Sequence, residues 1–328
     1  MLPAEREERQ HGLHRHIEGG SQIVTRKEVA ARAGVSEATV SRVFSGAGLV
    51  KEETRAKVLA AAKELNYVPN VMAQRFALGK SGNLGVLLPQ VPHGRHFTSY
   101  YFSEILNGIG AAVREKGYDL LLLFRTEEEN LSYAHYFETR KIDACVILGA
   151  RNVPNELKAL QELKQKQMPF CLVNQHFPGE DFNEIDADHV KGSYEAVSFL
   201  IQRGYRRIAF LNGPLHYSNS LDRLKGYQEA LHDHGIAYDP NLVFSGNYSR
   251  TSGLQASQLI YEQKSRIDAV FAANDRMAAG LVQGLQARGV EIGKPFPIVG
   301  CDDADIASIC NPPLTTVKVP FYEMGYKA

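Results

Sequence analysis

Hydrophobic and polar positions follow two different patterns along this chain. Between Thr25 and Leu65, apolar residues recur at helical spacing within short segments. From Leu84 onward, continuous apolar runs alternate with longer helical stretches, and the runs lie at 84–89, 118–124, 143–149, 169–174, 206–213, 268–274 and 296–302. Continuous apolar strands separated by helices indicate parallel sheets covered on both faces. The pattern predicts a small all-α domain followed by an α/β body long enough for two similar lobes.

Helix-capping and helix-terminating residues after Thr25 predict two short helices in succession. Thr25 and Glu28 form a capping-box pair, and Gly34 stops the first helix with a residue that tolerates positive φ. Ser36 is placed to cap a second helix that runs through Phe44. Further helices are predicted over 51–65 and 70–78. A helix, a tight turn with glycine and a second helix predict a helix-turn-helix.

In a helix-turn-helix the second helix enters the major groove of DNA with its first residues at the base edges. Arg42 has the fork that fits guanine, the Ala38 methyl can meet a thymine methyl, and Glu37 can accept from cytosine. Thr39 and Ser41 are of a size to reach phosphates, and Thr25 and Ser36 complete the predicted DNA-binding set. The alternative for this pattern is a three-helix packing or protein-interaction domain.

Charge separates the same two regions. Residues 25–80 carry ten basic and five acidic side chains, whereas the 248 residues that follow carry 24 basic and 28 acidic ones. A basic module on a mildly acidic body indicates a polyanionic partner for the module alone.

Composition narrows the class of protein further. The apolar runs have strand length, so no membrane partner is predicted, and no apolar segment marks a signal peptide. The four cysteines have no metal-type or redox-type spacing, which predicts free thiols in a reducing cytoplasm and neither a metal nor a cofactor. Phosphate-loop, dinucleotide-binding and nucleophile-elbow motifs do not occur in the sequence, which argues against an enzyme.

The longer motifs resemble those of the LacI/GalR family of bacterial transcription regulators. The resemblance extends over 25–328 and is carried by the segments TRKEVAARAGVSEATVSRVF (25–44), TRAKVLAAAKELNYVPN (54–70), YYFSEILNGI (100–109), RLKGYQEAL (223–231), FAAND (271–275) and VGCDD (299–303). It implies a homodimer on double-stranded, pseudo-palindromic operator DNA, controlled by a small effector such as a sugar. It also implies a repressor of carbohydrate-utilisation genes.

The resemblance gives the segment after the helix-turn-helix a role as a hinge helix in the minor groove. Asn70, Ala73 and Gln74 fall on matching positions, and Phe76 stands where the family usually has a leucine wedge. Phenylalanine also wedges between bases in other minor-groove proteins. The alternative is that Phe76 packs the linker against the first lobe.

A two-lobed body places its ligand in the cleft, at the carboxyl ends of the parallel strands. Asn274, Asp275 and Asp302 lie at such strand ends, and the resemblance adds Arg223 as an effector clamp. By the same resemblance, further effector contacts are Tyr101, Phe102 and Asp188. The alternatives are helix caps for Asn274 and Asp275 and core positions for the two aromatic residues.

These observations predict four segments: a disordered tail at 1–24, a helix-turn-helix domain at 25–69, a hinge helix and linker at 70–82, and an effector-binding and dimerisation body at 83–328. Family members continue past the position matching Ala328, so a C-terminally short body is expected. Two other classes remain open at this point, a periplasmic solute receptor and a sugar kinase or isomerase with a fused helical domain.

Overall fold

The computed structural model describes residues 24–46, 48–70, 75, 79–89, 99–125 and 132–328. The chain divides into two compact units, Met1–Lys80 and Ser81–Ala328. Residues 1–23 of the predicted tail, and the hinge residues Ala73, Gln74 and Phe76, lie outside the described residues.

The described part of the first unit includes the helices α1 (Arg26–Ala33), α2 (Glu37–Ser45) and α3 (Glu52–Glu64). Each helix contributes one completely buried valine to their shared core: Val29, Val40 and Val58. The predicted capping box is present at Thr25, and Gly34 ends α1 with a φ of 66°. The helix-turn-helix prediction is therefore confirmed at the level of its helices and the turn between them.

The second unit begins with a first lobe built on a five-stranded parallel sheet in the order β2-β1-β3-β4-β5. Its strands are β1 (Asn83–Leu88), β2 (Asp119–Phe124), β3 (Ala144–Leu148), β4 (Phe170–Val173) and β5 (Glu184–Ile185). Its helices are α4 (Tyr100–Lys116), α5 (Ala134–Glu138) and α6 (Pro154–Gln165). The chain adds β2 on one side of β1 and the later strands on the other, so the strand order switches between β1 and β3, and such a switch point is where parallel sheets of this kind bind ligands.

The second lobe repeats this topology with a parallel sheet in the order β10-β9-β8-β6-β7. Its strands are β6 (Ile208–Asn212), β7 (Val243–Ser245), β8 (Ala269–Ala272), β9 (Ile298–Asp302) and β10 (Thr315–Lys318). Its helices are α7 (His189–Gln202), α8 (Ser218–Asp233), α9 (Arg250–Glu262), α10 (Asp275–Gln286) and α11 (Asp305–Ile309). A short 3-10 helix (Pro240–Leu242) precedes β7.

The chain enters the second lobe between β5 and α7, and it returns after β10 to a last helix, α12 (Phe321–Lys327), which packs on α4 of the first lobe. Two glycines allow these helices to touch. A Cβ atom on Gly108 would lie 2.1 Å from the Tyr322 carbonyl oxygen, and one on Gly325 would lie 2.2 Å from the Ile105 carbonyl oxygen. Neither position accepts a larger residue without separating the helices.

The sheets match the seven strands that the sequence predicted, and the predicted fold class is confirmed. Three strands were missed, namely β5, β7 and β10. Each is an edge strand of two to four residues, too short for a hydrophobic pattern to reveal it. Within the described residues, no helix combines the length and the apolar character that a membrane crossing requires.

Candidate DNA-binding and effector sites

One face of α2 is exposed while the opposite face holds the helix in the three-helix core. Val40 and Val43 are buried, whereas Glu37, Ala38 and Arg42 are exposed. This division follows the helical period, since residues three and four apart share a face. The three exposed residues are those that the sequence predicted to meet base edges.

Thr25 and Ser36 lie at the starts of α1 and α2, whereas Thr39 and Ser41 lie within α2. The Thr25 hydroxyl accepts from the amide of Glu28, and the Ser36 hydroxyl accepts from the amide of Thr39 at 3.2 Å. The Ser41 hydroxyl accepts from Arg26 Nη1 at 3.3 Å. Helix starts carry partial positive charge and free amide groups, so this arrangement is able to receive phosphate groups. Asn70, the last residue before the segment left undescribed, is exposed.

In the second lobe, Arg223 on α8 is buried, with 2% of its surface exposed. Its Nη1 donates to the Tyr248 hydroxyl at 3.2 Å, and its Nε has no hydrogen-bond acceptor among the described residues. Burial alone would lower the pKa of Arg223, but the neighbouring Cys301, Tyr248 and Asp302 raise it. The guanidinium is therefore a buried cation with one donor still available.

Asp302 lies beside Arg223 at the end of β9. It is 5% exposed and adopts a φ of 123°, a conformation that side-chain-bearing residues rarely take. Burial raises the pKa of Asp302 well above its ordinary value, although Arg223 opposes the shift. Strained backbone of this kind clusters at functional sites.

Tyr248 links several groups at this end of the second sheet, and it was missed by the sequence analysis. Its hydroxyl donates to Asn219 Oδ1 at 2.9 Å and is hydrogen-bonded to the Ser220 hydroxyl at 2.5 Å. Its carbonyl oxygen accepts from Asn274 Nδ2 at 3.1 Å. Tyr248 follows the unpredicted strand β7, so the rule that selects residues after strand ends did not reach it.

Asn274 and Asp275 have structural partners. Asn274 is the N-cap of α10 and accepts from the Met277 amide at 2.9 Å. The two Asp275 oxygens accept from the Thr316 hydroxyl at 2.7 Å and from the Ala304 amide at 2.8 Å. Burial raises the pKa of Asp275 to about 6 against these hydrogen bonds. Asp275 thus ties α10 to the segments around β9 and β10.

In the first lobe, the predicted aromatic pair is divided between two environments. Tyr101 is half-buried, and its hydroxyl donates to the Val173 carbonyl at the end of β4, at 3.4 Å. Burial raises the pKa of Tyr101. Phe102 is 9% exposed and belongs to the hydrophobic core. Adjacent residues on a helix point about 100° apart, so both rings cannot face the same ligand.

Asp188 caps α7 by accepting from the Lys191 amide at 2.9 Å, and it remains exposed. It lines a pocket of about 270 Å³ beside the segments that join the lobes. Arg223 and Cys301 line the same pocket. The structure therefore brings Asp188 and Arg223 to one cavity.

A second buried arginine, Arg125, follows β2 in the first lobe and was also missed. Its Nη1 pairs with Glu156 Oε1 at 2.5 Å and with the Tyr133 hydroxyl at 2.7 Å, while Nη2 donates to the Leu148 carbonyl at 2.7 Å. Its Nε has no acceptor among the described residues. The strand-end rule that selected Asn274 would have selected Arg125, since it directly follows an apolar run.

Comparisons with known proteins agree with this architecture. The family model for bacterial regulatory proteins of the lacI family matches residues 25–70, and that for the periplasmic binding protein-like domain matches residues 197–328. The HTH-type transcriptional regulator AscG of Escherichia coli (strain K12) is 34% identical over 92% of this chain and 89% of its own length. The transcriptional repressor CytR of the same strain is 30% identical over 93% and 87%.

Solved structures give the same result for the fold. The lac repressor dimer bound to operator and the anti-inducer ONPF has a TM-score of 0.80 at 29% identity, and the complex of the regulator CelR with cellobiose has a TM-score of 0.70 at 31% identity. Each comparison covers 93% of this chain and 90% of the other. The family resemblance predicted from the motifs is confirmed. With a helix-turn-helix, two doubly wound lobes and relatives that regulate transcription rather than catalyse reactions, this chain belongs to the lacI family of DNA-binding bacterial regulatory proteins.

Proposed function

We propose that this protein is a cytoplasmic, homodimeric repressor of carbohydrate-utilisation genes. Its affinity for a pseudo-palindromic operator changes when a sugar binds. The names of its relatives support this proposal, because CelR has been crystallised with cellobiose and the lac repressor as a dimer on its operator. The exposed Glu37, Ala38 and Arg42 supply the base-reading face in each subunit.

The effector half of the proposal depends chiefly on one observation, the unsatisfied Nε of buried Arg223 beside the buried Asp302. A buried donor without an acceptor is unfavourable, and a ligand hydroxyl would supply the missing acceptor. Asp302 can accept from the neighbouring hydroxyl of the same ligand. A cation and a carboxyl side by side suit the vicinal hydroxyls of a sugar. Tyr248 would hold the arginine in place, and Tyr101 and Arg125 would meet the ligand from the first lobe.

Asp275 and Phe102 have a different role in this proposal. Their hydrogen bonds and burial support positions behind the site, with Asp275 anchoring α10 and Phe102 packing under Tyr101. Asn274 positions the Tyr248 backbone through its side-chain amide.

A ligand screen with an arginine pair tests the effector site. Thermal shifts of the full chain would be measured with a panel of mono- and disaccharides, for the parent, Arg223→Lys and the exposed-arginine control Arg266→Lys. A ligand that binds only the folded state raises the melting temperature. We expect a sugar that stabilises the parent and Arg266→Lys but not Arg223→Lys, since lysine lacks the planar fork. Equal stabilisation of all three proteins would contradict the site.

A DNA-binding assay tests the other half. Operator fragments would be selected from random double-stranded DNA by the full chain, and their gel mobility would be measured with and without the stabilising sugar. We expect a sugar-dependent change in operator affinity in the parent and in Arg266→Lys, and none in Arg223→Lys. Unchanged affinity in all cases would show that the sugar does not regulate DNA binding.

A further inference from the structure

A histidine and two aspartates converge where the two lobes meet. His176 follows β4 and Asp186 follows β5 in the first lobe, whereas Asp222 lies on α8 in the second. The His176 Nδ1 atom is 3.0 Å from Asp186 Oδ2 and 3.6 Å from Asp222 Oδ2. One ligand-capable atom from each residue falls within 4.8 Å of the other two.

These separations suit one metal ion. Nitrogen and oxygen ligands lie about 2.0–2.2 Å from Zn²⁺ in a tetrahedral arrangement, so any two of them are about 3.4 Å apart. The two distances from His176 lie on either side of that value. Imidazole and carboxylate ligands together suit Zn²⁺ and Mn²⁺.

Neighbouring groups hold two of the three ligands in place. The second oxygen of Asp186 accepts from the Ala187 amide at 2.8 Å and lies 3.3 Å from His189 Nε2. The backbone amide of His176 donates to the Ser218 hydroxyl at 2.9 Å, across the two lobes. Such outer contacts orient metal ligands in known sites.

An ion can reach this cluster from solvent. The side chains of His176, Asp186 and Asp222 are 30%, 16% and 21% exposed. The cluster therefore combines restrained ligands with an entry path, as a reversible metal site requires.

We propose that His176, Asp186 and Asp222 bind one divalent transition-metal ion, Zn²⁺ or Mn²⁺, that links the two lobes. Because ligands come from both lobes, the ion would favour the arrangement in which the lobes are close. Asp222 directly precedes Arg223, so the ion would also influence the position of the Arg223 side chain in the effector site, and this last consequence rests on the proposed function.

Direct metal binding to the full chain, freed of metal by chelation, tests the proposal without sugar or DNA. Isothermal titration with Zn²⁺ and with Mn²⁺ would be run on the parent, Asp222→Asn and His176→Gln. We expect one ion per chain in the parent and an affinity at least about tenfold lower in each variant. Circular dichroism and the metal-free melting temperature would show that both variants fold, which the similar size and shape of the new side chains favour.

Two control variants separate this site from other histidines. One replaces His11, His14 and His16 together by glutamine, and the other is His232→Gln, which removes the histidine of an exposed His–Asp pair on α8. Mn²⁺ avoids confusion with the four cysteines, because it prefers oxygen and nitrogen ligands to thiolates. Both controls should bind as the parent does.

The proposal is overturned if the parent binds neither ion, if Asp222→Asn and His176→Gln keep the parent affinity, or if binding is lost with the three N-terminal histidines. In the first case the cluster is a hydrogen-bonded contact between the lobes and nothing more. A sugar response in a protein that binds no metal would leave the proposed function intact, so the two failures can be told apart.

Discussion

The raised pKa of Asp275 predicts a measurable pH dependence of the stability of the body. Burial raises this pKa from 3.8 to about 6. The folded protein therefore holds a proton on Asp275 at pH values where the unfolded chain has lost it, and the free energy of unfolding falls as the pH rises through this interval. This difference between the folded and unfolded pKa of Asp275 corresponds to a decrease of about 3 kcal/mol in the free energy of unfolding, and the decrease is complete above the folded-state pKa.

The substitution Asp275→Asn isolates this contribution. Asparagine can accept from the Ala304 amide through its oxygen and donate to the Thr316 hydroxyl through its nitrogen, so both contacts survive without a charge. The same four titratable groups surround position 275 in both proteins: Cys301, Asp302, Asp303 and Cys310.

The assay is urea unfolding of the full chain by far-ultraviolet circular dichroism from about pH 4 to about pH 8. We expect the stability of Asp275→Asn relative to the parent to increase by about 2.5 kcal/mol across that range, with most of the change below pH 7. Asp181→Asn, at a fully exposed side chain, is the control and should run parallel to the parent. Parallel profiles for Asp275→Asn and the parent would refute the burial argument.

Three further predictions concern the DNA-binding unit and the hinge. Arg42→Ala should weaken the free energy of binding to the selected operator by about 1–3 kcal/mol and relax the sequence preference at one base pair per half-site, as measured by gel shift on single-base variants. Equal weakening on random DNA would make Arg42 a phosphate contact. Thr25→Ala should destabilise the first unit by about 1 kcal/mol through loss of the α1 cap, measured by urea unfolding, and Thr25→Ser should not. Phe76→Ala should weaken operator binding and reduce DNA bending, whereas Phe76→Leu should keep both. Bending is measured from the gel mobility of fragments that carry the operator at different positions, and full bending by Phe76→Ala would indicate that Phe76 packs in the linker.

The sequence was sufficient to predict helices whose ends are marked by capping residues and strands whose apolar runs are buried in the fold. The capping pair Thr25–Glu28 and the stop at Gly34 set the bounds of α1 without help from distant residues. Six of the seven apolar runs became interior strands, because only a doubly covered sheet can bury so many consecutive apolar side chains, and the seventh became the edge strand β2.

Residues whose role depends on distant contacts could not be predicted in this way. Phe102 and Tyr101 are adjacent in sequence, but tertiary packing separates them: Phe102 is in the core, whereas Tyr101 contacts Phe321 and the end of β4. Asp275 stands at a strand end as a ligand residue would, yet Thr316, 41 residues later, occupies one of its oxygens. Tyr248 follows a three-residue edge strand that has no pattern of its own.

The contact between α4 and α12 has a consequence for how the chain folds as it is synthesised. The second lobe comes from one continuous stretch of chain, but the first lobe needs α12, which is made more than 130 residues after β5. Domains fold as units while the chain leaves the ribosome. The second lobe can therefore complete its sheet while the face of α4 around Gly108 is still open to solvent. Until α12 covers it, that face is a site where a chaperone, or the α12 of a neighbouring nascent chain, can bind.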